Sequence, residues 1–124
     1  WFDRQGVDAI VSGETNGYTS KRATVTPCNG GALGTNSPDR VYEVHAHRDG
    51  TLDATILSAN FGQSLYIQTD CSKPATQVAC ANKGVGAGTL ESASTAVKSG
   101  DTVYVWVDGE DQTAGIYTIR FRIR

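Results

Sequence analysis

The 124-residue chain contains no methionine, so no initiator is present, and Trp1-Phe2-Asp3-Arg4 lacks the basic stretch and apolar run of a secretory leader. We therefore expect a processed or excised piece of a larger exported protein, with residues 1–8 as linker. Long apolar runs are missing too. Polar residues interrupt every hydrophobic stretch well short of the roughly 20 residues of a membrane-spanning helix, which argues against a membrane partner. An excess of positive charge is absent: Lys and Arg number 11 against 13 Asp and Glu, a net charge of -2. That leaves no overall basic footprint for nucleic acid.

Metal-ligating residues are scarce, with two histidines and three cysteines. No Cys-x-x-Cys pair occurs, which disfavours a tetrahedral zinc site built on the thiols. Cys71 and Cys80 enclose the turn-forming stretch Ser72-Lys73-Pro74-Ala75-Thr76-Gln77-Val78-Ala79, and we read them as a disulfide closing a small loop rather than as thiols or metal ligands. A disulfide implies an oxidising, extracellular or cell-surface compartment. Cys28 is then left over, either free or paired outside the chain.

What the sequence does contain is alternation. No window sustains apolar residues at helical spacing, whereas period-two segments are plentiful and 14 glycines punctuate them. Strands are expected at Ala9 to Gly13, Arg22 to Thr26, Val41 to His47, Leu52 to Ile56, Ser64 to Thr69, Gln77 to Ala81, Thr89 to Val97, Thr102 to Val107 and Ile116 to the end. Pro27 to Pro38 and Gly84 to Gly88 read as loop and turn. Inward positions follow from the alternation: Tyr42, Val44 and Ala46; Leu52, Ala54 and Ile56; Tyr117, Ile119, Phe121 and Ile123. Seven to nine short, mostly antiparallel strands in one domain over residues 1–124 predict an all-β β-sandwich or jelly roll. Three hairpins are expected: Val41–His47 with Leu52–Ile56, Ser64–Thr69 with Gln77–Ala81, and the last two strands closed by Asp108 to Gly115.

The series Asp39-Arg40-Val41-Tyr42-Glu43-Val44, Ser64-Leu65-Tyr66-Ile67-Gln68-Thr69-Asp70-Cys71, Ala79-Cys80-Ala81-Asn82, Val103-Tyr104-Val105-Trp106-Val107-Asp108-Gly109 and Gly115-Ile116-Tyr117-Thr118-Ile119 resembles the bacterial pre-peptidase C-terminal domain family over about Asp39 to Ile123. The resemblance implies a β-sandwich module appended to secreted proteases and other exported enzymes, and so a covalently attached neighbouring domain. Related collagen-binding modules use calcium. Here only Asp8, Glu14 and Asp39 stand where their acidic cluster would lie, and Ala81-Asn82-Lys83 replaces an acidic residue expected after the second cysteine. No resident cofactor is therefore assigned, and calcium rests on the resemblance alone.

Catalytic constellations are incomplete. In His45-Ala46-His47-Arg48-Asp49, similar to part of the metallo-β-lactamase motif, His45 and His47 share a strand face with Glu43. These three are the weak metal candidates, but a third histidine and downstream ligands are missing. No serine lies in a Gly-x-Ser-x-Gly elbow. Asp101, Asp108, Glu110 and Asp111 are read as turn carboxylates. Gly84-Val85-Gly86-Ala87-Gly88 lacks the lysine and helix of a phosphate loop.

The candidate binding face is the outer side of the expected last hairpin, with Tyr104 and Trp106 beside Arg120 and Arg122. Such a face could stack sugar rings or hold an anionic or protein partner; the competing reading is cross-strand packing. The expected function is a non-catalytic accessory or binding domain of a secreted bacterial protein, for attachment, substrate presentation or spacing, with an extracellular polysaccharide or matrix protein as partner. A carbohydrate-binding module using Trp106 and Tyr104 is the alternative, and a small secreted hydrolase the third reading.

Overall fold

A strand that alternates apolar and polar residues has one face to hide, and a second such sheet is the simplest thing to hide it against. The computed structural model describes residues 9–15, 39–70, 77–81, 90–109 and 115–124, and among them it resolves this need with eight strands and no helix. They are β1 (Ala9–Glu14), β2 (Asp39–His45), β3 (Gly50–Ala59), β4 (Gln63–Gln68), β5 (Gln77–Ala81), β6 (Ser92–Val97), β7 (Thr102–Gly109) and β8 (Ile116–Ile123). The expected strand at Arg22 to Thr26, the loop at Pro27 to Pro38 and the turn at Gly84 to Gly88 lie outside the described residues.

Two four-stranded sheets form, ordered β1-β8-β3-β6 and β2-β7-β4-β5, and every pairing is antiparallel. Between them lie Leu52, Ala54, Ile56, Ile119, Phe121 and Ile123 from the first sheet and Val44, Leu65, Ile67, Val103, Val105 and Val107 from the second, all 5% exposed or less. Each large side chain so buried contributes about 1.5–3 kcal/mol. The Tyr42 ring of β2 meets the Phe121 ring of β8 at 5.4 Å, a contact that crosses from sheet to sheet. The inward sets read from alternation are the observed core.

Two expected hairpins are corrected. β2 and β3 stand in different sheets, as do β7 and β8; among the described strands only β4 and β5 pair as sequence neighbours, through Leu65 opposite Ala81 and Tyr66 opposite Cys80. Consecutive amphipathic strands satisfy their apolar faces equally well side by side or face to face, and here the core is closed by facing them. The connections are fastened accordingly. At Lys98–Asp101, Gly100 takes φ +93°, the Asp101 N–H donates to the Lys98 carbonyl at 2.9 Å, and the Lys98 N–H donates to Asp101 Oδ2 at 2.8 Å. The Ser99 N–H donates to Asp49 Oδ1 at 2.8 Å, tying this crossing to the β2–β3 crossing.

Candidate functional site

Outward positions on the two sheets differ in kind. On the second sheet, cross-strand register brings together Val41, Trp106, Tyr66 and Cys80 in one row, Glu43, Tyr104 and Gln68 in the next, and Asp39, Asp108 and Ser64 in a third. All six residues of β4 are buried, its outward Ser64, Tyr66 and Gln68 included. Trp106 is 7% exposed and packs on Tyr66, with Cys80 against the pair. Among the described residues, Ser64 Oγ, the Gln68 amide and Trp106 Nε1 are out of water without a hydrogen-bond partner. Leaving such a group unsatisfied costs about 1–3 kcal/mol. Asp108, expected at a turn, lies within β7 and is fully buried.

The first sheet turns a row of hydroxyls and arginines outward. Arg120 stands between Ile10 and Thr55, and Arg122 opposite Asp53. Asp53 Oδ1 accepts from Ser94 Oγ, and its Oδ2 accepts from Arg124 Nε, both at 2.6 Å. Burial pushes the Asp53 carboxyl upward, but the Ser94 and Arg124 hydrogen bonds, with the charges of Arg124 and Arg122, outweigh it and hold the group below its ordinary range. The expected four-residue face is therefore not assembled: Tyr104 and Trp106 belong to one sheet and Arg120 and Arg122 to the other, on opposite outer sides.

Of the metal candidates, Glu43 and His45 do meet, 3.6 Å apart and both about half exposed, and His45 Nδ1 lies 3.1 Å from Thr102 Oγ1. His47 falls past the end of β2, with its two ring nitrogens buried and unpartnered. No group of three His, Cys, Asp or Glu able to hold a metal occurs among the described residues. For calcium, Asp8 lies outside the described residues, Asp39 opens β2, and Glu14 shares its surroundings with Arg40. Cys80 is described in β5; Cys71 and Cys28 lie outside the described residues.

A cleft of about 670 Å³ opens where β1, β8 and β3 end near the start of β2. Its polar walls are Ser12, Glu14, Arg40, Ser58, Asn60 and Thr118, with Ile116 and Tyr117 as apolar lining. Ser12 Oγ lies 3.4 Å from Thr118 Oγ1 across the β1–β8 pair. Gly13 is needed at the floor, because a Cβ there would come within 2.7 Å of the Tyr42 hydroxyl and 2.8 Å of that of Tyr117. Those two hydroxyls bond each other at 2.5 Å, and the Arg40 guanidinium sits 5.6 Å from the Tyr42 ring centroid. Buried Thr15 clamps the rim: its N–H donates to the Gly115 carbonyl at 2.9 Å, and the Gly115 N–H returns to Thr15 Oγ1 at 3.1 Å. Asn60 Oδ1 accepts the Ile116 N–H at 2.9 Å.

Of these residues, sequence reading singled out only Glu14 as a candidate ligand, and for calcium; Tyr42 and Tyr117 were read as core. One local signal was available, a glycine inside an otherwise regular strand, which marks close approach to a backbone. The convergence of three strand ends was not visible along the chain.

No family model and no curated protein matches the chain. Among solved structures it is similar to the pre-peptidase C-terminal domain of a collagenase from Bacillus anthracis, with a TM-score of 0.55 and 16% identity. The match covers 100% of this chain and 95% of that one. The fold is shared along the whole length, in agreement with the resemblance of residues 39–123.

Proposed function

We propose that the chain is a non-catalytic accessory domain of a secreted bacterial protein, acting in attachment, substrate presentation or spacing beside a covalently linked neighbour. The observation that carries this reading is the end-to-end likeness of fold to a domain that belongs to a collagenase without being named as its catalytic part. The incomplete histidine and serine sets of the sequence support it. An extracellular polymer, polysaccharide or matrix protein, is the partner class in keeping with such a role.

The test combines retention and turnover. The 124-residue chain is applied to immobilised matrix proteins and insoluble polysaccharides, and separately screened against ester, peptide and glycoside substrates. We expect retention on a polymer and no hydrolysis; turnover that follows the protein through purification would overthrow the reading. Trp106 is a poor candidate for the contact, because stacking requires an open ring face and Trp106 is 7% exposed.

A further inference from the structure

We propose that the cleft formed by β1, β3, β8 and Arg40 is a binding site for a short neutral oligosaccharide. This rests on the accessory-domain reading and names a ligand class for it. The volume of about 670 Å³ lies within the range of small-ligand sites, which run from about 300 to 1,000 Å³. Among the described residues the charged lining is one carboxylate, Glu14, and one guanidinium, Arg40, so their charges balance and give no preference for an ionic polymer.

The donors and acceptors match a polyol. A carboxylate accepts from two hydroxyls, a guanidinium donates through a planar fork, and Ser12, Ser58 and Thr118 do both. Sugar hydroxyls donate and accept in the same way. Ile116, 55% exposed, offers an aliphatic surface for the carbon–hydrogen face of a ring. A peptide fits less well. Strand addition uses the backbone edge of a sheet, and although β1 is an edge strand, the cleft walls extend over side chains of β8 and β3 behind it and take in Arg40 of the other sheet.

Titration calorimetry of the 124-residue chain tests the site, with neutral trisaccharides of glucose, mannose, xylose and N-acetylglucosamine and with an oligogalacturonate as the charged counterpart. Glu14→Gln and Thr118→Val probe the cleft, Trp106→Phe probes the opposite outer face, and thermal melts establish that each variant is folded. We expect at least one neutral trisaccharide to bind, each cleft variant to weaken it ten-fold or more, and Trp106→Phe to leave it within two-fold. Absence of binding by every neutral probe, preference for the charged one, or folded cleft variants that bind as well as wild type would each overturn the proposal. Retention on a matrix protein without trisaccharide binding would overturn the cleft assignment while leaving the accessory reading standing.

Discussion

The two outer faces of the sandwich are built on the same period-two rule and end in opposite states. The face of β2, β7, β4 and β5 carries Tyr66 and Trp106 and is dry along β4 and around Trp106, even at Ser64 and Gln68, while Val41 and Glu43 on its β2 side stay exposed. The face of β1, β8, β3 and β6 carries serines, threonines and arginines and keeps its water over much of its area, with Ile10 at 60% and Ile116 at 55% exposure. An aromatic on an outward strand position is therefore not by itself a binding platform. In this protein the aromatic face acts as structure, and the polar face holds the cleft.

The largest effect that would break this contrast is at Trp106. Truncation to alanine should cost about 3–5 kcal/mol in denaturant unfolding, as for a core aromatic. A loss under about 1 kcal/mol would return that ring to the surface. Next comes the expected bond between Cys71 and Cys80, whose second cysteine packs behind Tyr66. Serine at both positions should lower unfolding free energy by about 2–3 kcal/mol, and peptide mapping of the unreduced protein should recover the linked pair.

A smaller and opposite effect is expected at Gln68. Its amide is buried without a partner, so Gln68→Met should leave stability unchanged or raise it by about 1 kcal/mol. A marked loss would mean that the amide is satisfied and the face is not as dry as it stands.

The smallest effect belongs to the open face. Asp53→Asn removes a partly exposed ion pair with Arg124 and should cost at most about 1 kcal/mol at neutral pH. Because the folded carboxyl titrates below its unfolded value of 3.8, this stability is present above that value and is lost as pH falls through the lower folded one. The difference between wild type and variant in urea melts should therefore shrink on acidification below about pH 4. A difference that grows instead would refute the assignment.

Much of the fold was legible. Tyr117-Thr118-Ile119-Arg120-Phe121-Arg122-Ile123 alternates so regularly that its core face needs no neighbour to be read, and Lys98-Ser99-Gly100-Asp101 carries its own turn chemistry. The hairpins were legible only between β4 and β5. The segment from Asp108 to Gly115 turns a chain whether the next strand lies beside β7 or across the core from it. The candidate face failed for the same reason: Trp106 and Arg120 are neighbours only if their strands are.

By itself, then, the amino-acid order determined which residues of each strand face inward and that the protein is built of strands, since a period of two is local and enforced by sterics at every residue. Sheet membership, the burial of Trp106 and the cleft beneath Ser12 and Glu14 were decided only in three dimensions. Each depends on contacts between segments distant in the chain, in places by 100 residues or more, such as Thr15 with Gly115, and the closure of the common core selects among pairings that local pattern leaves equal.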